Sequence, residues 1–250
     1  MLNPPAPTSY RARWVFPIDG PPLEHACLLI DMRGHGQSLK AKTVDAKGAV
    51  TFVDLDKEDF KLPQLVSMRM DIEAGKKFLL EKNNAGELNI EALGIVACDT
   101  MCLAAMRWSM DDWNAPVLPA FKQGQDVKAL VLLSPVNSYK GYNATDFITH
   151  PATRKQLSIM LVAGKEDGKS LSEAKRLNTK LQQFHPKPSG DAEIDRKDLD
   201  LFLVTPETNL VGSKLLSPAL PVARNIANFL NLRLVEKQDQ YSWTDRKSPL

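Results

Sequence analysis

Short apolar runs alternate with longer amphipathic stretches along most of the chain. Five runs stand out, at residues 26–31, 93–97, 129–133, 158–163 and 199–204. Runs of this length, bounded by turn residues, are typical of strands buried in a parallel sheet. Residues 49–53 predict an edge strand or one arm of a hairpin. Residues 13–18 form another strand-like segment, which is interrupted by Pro17 and followed by a turn at residues 19–22.

Between these runs, apolar residues recur at helical spacing and predict helices. The first is expected over residues 65–81 and is stopped by residues 83–86; the others span residues 102–110, 171–184 and 218–230. The last helix would hold Pro218 and Pro221 in its first turn, where proline is tolerated.

The alternation of strands and helices predicts the fold class. It indicates an α/β protein, a three-layer sandwich with a mostly parallel sheet covered by helices on both faces. In such sheets, sites gather at the carboxyl ends of the strands. We therefore single out the loops that follow Ile30, Ala97, Ala163 and Val204.

Composition narrows the possible partners. The chain has 250 residues and a formal net charge of +2, and its lysines and arginines are scattered. This pattern predicts no nucleic-acid partner and no association with an anionic membrane. No apolar run approaches the ~20 residues that span a bilayer, and the proline-rich start is unlike a signal peptide. The expected location is cytoplasmic.

Cys27, Cys98 and Cys102 all lie in apolar surroundings and cannot form an even set of disulfides. We expect buried thiols in a reducing compartment. Cys98 and Cys102 are four residues apart without a second Cys or His pair nearby, so we predict no metal site. We also expect no organic cofactor.

The loop after the first apolar run has a specific pattern. Residues 31–38 read DMRGHGQS, and D-x-R-G-H-G-x-S directly after a buried strand resembles the α/β-hydrolase family. Gly34 and Gly36 can adopt backbone angles closed to other residues, and Arg33 can donate to neighbouring carbonyls. The resemblance implies that His35 braces the loop; a catalytic His35 is the alternative. A dinucleotide loop would need a third glycine.

The resemblance continues in the family's order. Residues 93–106 look like the strand, the nucleophile elbow and the following helix, and Asp99 stands at the serine position of the elbow at residues 97–101. Residues 160–167 resemble the strand and loop that carry the catalytic acid, at Asp167. Residues 199–209 resemble the last strand and the loop that carries the histidine, but this loop has none. The four histidines, His25, His35, His150 and His185, all come earlier.

The front of the domain also departs from the family. There is almost no room between Trp14 and Ala26 for the strand and glycine-containing loop that supply an oxyanion donor. Either this strand is missing, or the sequence belongs to a longer protein. We divide the chain into an N-terminal arm and edge strand at residues 1–25, a hydrolase-like domain without a substantial cap at residues 26–232, and a polar tail at residues 233–250. We expect the tail to be loosely held, although Tyr241 and Trp243 give it a means of docking.

Asp99 has two interpretations. It is either a helix cap or an aspartate nucleophile like those of haloalkane dehalogenases and epoxide hydrolases. Aspartate tolerates the left-handed backbone that an elbow demands. The nucleophile interpretation needs a base, and His150 is the candidate. Asp167 either orients such a base or only braces its loop.

Other nucleophiles are less suited to the site. Ser134 and Ser138 follow a different strand and have no partner that the sequence identifies, and Cys98 should point into the core. Trp108 and Trp113 either belong to the core or line a partner surface. The sequence therefore predicts a catalytically degenerate, hydrolase-like protein, ligand-binding or accessory, with a small-molecule pocket above the strand ends. The alternative is an active hydrolase with a non-standard base.

Overall fold

The computed structural model describes residues 10–12, 25–45, 47–116, 118 and 122–246. The chain divides into two compact units, Met1–Leu88 and Asn89–Leu250. The predicted strand at residues 13–18 and the turn at residues 19–22 lie outside the described residues. Across the described ranges, no helix combines the length and the apolar character needed to cross a membrane. The predicted domain boundaries stay a prediction.

The first unit contains four strands and two helices among its described residues. They are β1 (Tyr10–Ala12), β2 (Leu28–Ile30), β3 (Lys40–Val44), β4 (Val50–Asp54), α1 (Leu62–Ser67) and α2 (Arg69–Asn84). Strands β3 and β4 pair antiparallel, which confirms the predicted hairpin arm. Helix α2 ends at the predicted stop, where Gly86 has φ +74°.

Strand β2 corrects one expectation. The apolar run at residues 26–31 does form a strand, but β2 pairs antiparallel with β1, and Leu29 is 51% exposed. The expectation of a buried parallel strand is therefore wrong for this run. An apolar run indicates a strand but carries no information about its partner.

The glycine loop at residues 31–38 is tightly braced within the first unit. Gly34 and Gly36 have φ of +74° and +52°, as predicted, and a Cβ at Gly36 would overlap the carboxylate of Asp31. Arg33 does not bind carbonyls as expected. Its Nε donates to Asp71 Oδ2 at 3.0 Å and its Nη2 to Oδ1 at 2.6 Å, which ties the loop to α2. His35 Nδ1 lies 3.1 Å from the carbonyl oxygen of Arg33, which fits the bracing interpretation.

The second unit is built on a parallel sheet. Its strands are β5 (Leu93–Cys98), β6 (Val127–Leu133), β7 (Ser138–Tyr139), β8 (Tyr142–Asn143), β9 (Ser158–Val162) and β10 (Leu201–Val204). Its helices are α3 (Met101–Trp113), α4 (Thr145–Thr149), α5 (Pro151–Lys155), α6 (Gly168–Leu181), α7 (Ala192–Asp198) and α8 (Val222–Leu230). The sheet order is β10-β9-β6-β5, and all three neighbouring pairs are parallel. The predicted parallel sheet is thus confirmed for the last four of the five apolar runs.

Helices cover both faces of this sheet. On one face, Val131 of β6 and Met160 of β9 pack against Ile226 and Phe229 of α8. Alternate strand residues such as Leu130 point the opposite way, and α3 and α6 also contact the strands. Apolar burial on both faces explains why these runs read as continuous rather than alternating.

Helix α8 begins later than predicted. It starts at Val222, so Pro221 is its N-cap residue and Pro218 precedes the helix. Proline lacks an N–H and fits ahead of the first turn as well as inside it, so its position alone does not fix the start.

The tail also differs from expectation up to Arg246. The Arg246 side chain is only 2% exposed and forms an ion pair with Asp126, which lies directly before β6. The part of the tail that the structure describes is therefore held against the second unit rather than loosely attached.

Candidate functional site

The site forms around a sharp turn between β5 and α3. Strand β5 ends at Cys98 and α3 begins at Met101. Asp99 has φ +52°, so the predicted left-handed backbone is confirmed. Its N–H donates to the carbonyl of Leu133 at 2.9 Å, which anchors the turn to the end of β6.

The helix-cap interpretation of Asp99 does not hold. The N-cap residue of α3 is Thr100, and no side chain of the described residues forms a cap hydrogen bond there. The left-handed turn directs the Asp99 carboxylate away from the helix and against Gly212. The carboxylate is thus available to whatever enters the space above the strand ends.

Asp167 places a second acid near Asp99. It follows β9 and is the N-cap residue of α6, again without a side-chain cap bond. Burial raises the pKa of Asp99, and the negative charge of Asp167 raises it further. Oδ2 of Asp167 is buried without a hydrogen-bond partner among the described residues. The structure therefore places the two acids that the sequence singled out within electrostatic reach of each other.

The loops that follow β9 and β10 are fastened to each other. Lys165 donates its N–H to the carbonyl of Pro206 at 2.8 Å, and Glu166 to that of Thr208 at 3.1 Å. Gly164 allows this contact, because a Cβ there would overlap the carbonyl oxygen of Thr208. This pairing carries the loop after β10 over the strand ends, towards Asp99.

Gly212 and Ser134 complete the floor of the site. Gly212 has φ +58°, and a Cβ there would overlap the Asp99 carboxylate. Its N–H donates to Ser134 Oγ at 2.9 Å, and Ser134 is 1% exposed with φ +48°. Ser134 thus has the partner that the sequence did not identify, and it acts as an acceptor that positions the loop. Ser138, in β7, pairs with Asn143 of β8.

An open cleft of about 480 Å³ lies above this floor. It is lined by Asp99, Asn209, Leu210, Val211, Ser213 and Lys214. The sequence singled out the loop after Val204, where the other five residues lie, but gave none of them a role, since a loop without a histidine carried no chemical signal. The position of the loop after the last strand was the available indication, because parallel strands end at a common edge. The lining combines an acid, a cation and two aliphatic side chains.

Neither histidine of the second unit reaches this cleft. His150 Nε2 lies 3.1 Å from Asn114 Oδ1, and its Nδ1 accepts the Ala152 N–H at the start of α5. Asn114 follows the 13-residue helix α3, and Asp99 precedes it. At 1.5 Å per residue the two ends lie about 20 Å apart. The structure therefore does not bring His150 and Asp99 together.

His185 lies near the amino end of β10, at the end of the sheet away from the cleft. Its Nδ1 is 2.8 Å from Oδ1 of Asp200, which precedes β10. The cleft lies beyond the other end of β10, a strand of 4 residues. This strand alone spans about 13 Å. His25 and His35 belong to the first unit.

The cysteine predictions hold only in part. Cys102 is fully buried and Cys98 packs against the core, where burial raises the pKa of both thiols. Cys27 is exposed, so the expectation of three buried thiols is wrong. Its apolar neighbours belong to β2, a strand that is only partly buried, so an apolar run did not guarantee a buried thiol.

The two tryptophans of α3 face the protein. Trp108 is 2% exposed, and Trp113 donates its Nε1–H to the carbonyl of Val127 at 2.9 Å. These contacts favour the core interpretation over a partner surface.

The cleft beside Asp99 thus remains the candidate site, with hydrogen-bond acceptors, a cation and apolar contacts. Comparisons with known proteins found no family model that matches the chain and no match among curated proteins.

Proposed function

We propose that this chain is an α/β-hydrolase-like protein that has lost its catalytic chemistry and binds a small molecule in the cleft above Asp99. One observation carries the proposal. A left-handed Asp99 at a strand-to-helix turn opens into a cleft of about 480 Å³, and neither histidine of the second unit lies there. The glycine loop at residues 31–38 supports the ancestry.

The residues that line the cleft suggest which chemical groups a ligand would carry. A volume of this size falls within the range of small-molecule sites. Leu210 and Val211 supply apolar contact, while Asp99 and Lys214 supply opposite charges. A compound with an apolar body and polar ends, one of them a hydrogen-bond donor for Asp99, fits this combination. A protein that inherits its fold from an enzyme can keep such a pocket after its catalytic activity is lost.

A second candidate is an aspartate-nucleophile hydrolase. The left-handed Asp99 with Asp167 nearby supports it, because these two positions suit a nucleophile and the acid that orients its base. The covalent ester would form when the Asp99 carboxylate attacks a carbon and displaces its leaving group. Releasing that ester requires water activated by a base. His150, which is engaged at the far end of α3, does not provide it.

Binding is tested with a variant that fills the cleft. Val211 is 40% exposed at the cleft, and Val44 is 56% exposed on the hairpin of the first unit. Wild type, Val211→Trp and Val44→Trp would be screened against a small-molecule library by thermal shift, with calorimetry on the hits. We expect hits that bind wild type and Val44→Trp but not Val211→Trp. A screen without hits, or hits indifferent to Val211→Trp, contradicts the proposal.

Activity is tested on epoxides, alkyl halides and activated esters, with Asp99→Asn as the control. We expect no turnover by wild type above that of Asp99→Asn. Turnover that disappears in Asp99→Asn would replace the binding proposal with the second candidate. Turnover that survives in Asp99→Asn excludes Asp99 as its nucleophile.

A further inference from the structure

Two buried acids meet at the amino ends of the strands, at the end of the sheet opposite the cleft. Glu91 lies in the short 3-10 turn Ile90–Ala92 directly before β5, and Asp126 lies directly before β6. Since β5 and β6 are parallel neighbours, with Leu93 opposite Val127, the residues before them come together. Glu91 is 7% exposed and Asp126 is fully buried. Ionised carboxylates this deeply buried require a cation and hydrogen bonds.

Two cations meet these acids: Lys122 Nζ contacts Glu91 Oε2 and lies 3.3 Å from Asp126 Oδ1, and Arg246 is the more deeply buried of the two. Its Nη2 contacts Glu91 Oε1 and Asp126 Oδ1 together, its Nε donates to Glu91 Oε1 at 3.1 Å, and its Nη1 donates to the carbonyl of Lys122 at 3.1 Å. All three guanidinium nitrogens are thus engaged. The Lys122 ammonium also contacts both carboxylates, so the bridge alone does not select arginine. The donations from Nε and Nη1, held in one plane with Nη2, are contacts that a single ammonium nitrogen cannot reproduce. The pocket is shaped for arginine.

The same pocket binds the segment around Arg246. Thr244 Oγ1 donates to Glu91 Oε1 at 2.9 Å, and Asn89 Nδ2 donates to the carbonyl of Tyr241 at 2.6 Å. Residues 241–246 form neither helix nor strand, so these contacts hold the segment in place. Burial alone would raise the pKa of Glu91. Hydrogen bonds from Lys122 and Thr244 and the nearby cationic charges outweigh it, and the pKa is lowered.

We propose that the pocket formed by Glu91 and Asp126 is a binding site for an arginine-bearing segment, and that residues 241–246 occupy it as an intramolecular ligand. A peptide of the same sequence binds there when the resident arginine is removed. The pocket lies at the amino ends of the strands, whereas the cleft at Asp99 lies at their carboxyl ends. The two proposals therefore stand or fall separately.

The test uses the full chain carrying Arg246→Gln and a fluorescent peptide of residues 241–246. We expect saturable binding to Arg246→Gln, and at least tenfold weaker binding to wild type, whose pocket is filled. Binding should also weaken at least tenfold for a peptide with lysine in place of arginine, and for the double variant Glu91→Gln with Arg246→Gln. Absence of binding to Arg246→Gln, or equal binding of the arginine and lysine peptides, overturns the proposal.

A second measurement applies if Arg246→Gln does not fold. Arg246→Lys keeps the positive charge but loses the fork, and its melting temperature would be followed with ethylguanidinium or ethylammonium at equal ionic strength. We expect ethylguanidinium to stabilise Arg246→Lys relative to ethylammonium, and to have no such effect on wild type. Equal responses to the two cations in Arg246→Lys reject a guanidinium site.

Discussion

At the scale of single residues, Asp99 combines an unusual backbone with an unfavourable charge. The sequence predicted its left-handed conformation, because an acid at a strand-to-helix turn can adopt it. The direction of its carboxylate could not be predicted, since that depends on Gly212, which is distant in sequence, and on Asp167. A repulsive pair of acids above the strand ends is what a cationic or hydrogen-bond-donating ligand would relieve.

Asp99→Asn should stabilise the protein at neutral pH. The pKa of Asp99 is raised in the folded state, so the folded protein resists ionisation that the unfolded chain accepts freely. This disadvantage is absent below the ordinary pKa of aspartate and grows as the pH rises through it. Asparagine keeps the shape and tolerates φ +52°. We expect a higher melting temperature for Asp99→Asn than for wild type at pH 7, and no gain at pH 3.

Asp99→Ala serves as the control, because it removes the charge but also the residue type that tolerates the left-handed turn. Asp167→Asn should give part of the same gain, and the double variant should gain less than the sum. A lower melting temperature for Asp99→Asn than for wild type at pH 7 would contradict the repulsion.

Gly212→Ala should be more damaging than an equivalent change at Gly190. Both glycines have positive φ, but a Cβ at Gly212 would overlap the Asp99 carboxylate, whereas one at Gly190 would meet nothing within 4 Å. We expect both substitutions to cost about 1 kcal/mol from backbone strain, and Gly212→Ala to lose somewhat more because the Asp99 carboxylate must move away from the new methyl group. Denaturant unfolding of both variants measures the difference, and equal losses would refute the close contact.

At the scale of elements, apolar runs located the strands of the parallel sheet to within one or two residues. They did so because burial on both faces leaves an uninterrupted apolar signature. The run at residues 26–31 looked the same and yet forms an antiparallel strand, since pairing is decided by other segments. The braced glycine loop was foreseen from Gly34 and Gly36. Its tie to Asp71 was not, because it depends on the register of α2.

Arg33→Ala should loosen the connection between the glycine loop and α2. The Arg33 and Asp71 side chains are 16% and 9% exposed, and removing the arginine leaves a nearly buried carboxylate. We expect a loss of about 3 kcal/mol, the lower end of the range for a broken buried pair. Hydrogen exchange should increase in residues 31–38 and in the first turn of α2.

Arg196→Ala is the matched control, because Arg196 pairs with Glu236 on the surface, at 62% and 40% exposure. An exposed pair contributes at most ~1 kcal/mol. Losses of similar size in the two variants would mean that the buried pair is no stronger than a surface one.

At the scale of the whole molecule, the unforeseen features join segments far apart in the chain. The cleft depends on a loop whose side chains carry no chemical motif, and the arginine pocket joins residues 155 positions apart. Periodicity and local motifs report neighbours in sequence, so they cannot reveal such pairings. What they do reveal is that Glu91 and Asp126 each precede an apolar run. This placement, rather than any motif, was the usable signal.

Lys128 should make stability depend on pH at this edge of the sheet. Its Nζ donates to the carbonyl of Gln125 at 2.6 Å and lies 4.5 Å from the Trp113 ring centre. Burial, and then the charge of Lys122, lower its pKa to about 8, although Glu91, Asp126 and Asp112 oppose the shift. Between about pH 8 and the ordinary pKa of lysine, near 10.5, the unfolded state binds more protons, so stability rises with pH.

The comparison is between wild type and Lys128→Met, with Lys165→Met as an exposed control. Unfolding free energies are measured at pH 8 and pH 10. From the lower to the higher pH, the unfolding free energy of wild type should increase by about 1 kcal/mol or more relative to that of Lys128→Met, since one pKa unit corresponds to 1.36 kcal/mol. Lys165→Met should follow wild type. Parallel profiles for wild type and Lys128→Met would rule out a desolvated amine.

The late position of Arg246 has a consequence for biosynthesis. Asp126 emerges from the ribosome 120 residues before its partner, and Glu91 precedes it further. Before residues 241–246 are available, Lys122 is the cation that both acids can share, and the arginine contacts are added to it last.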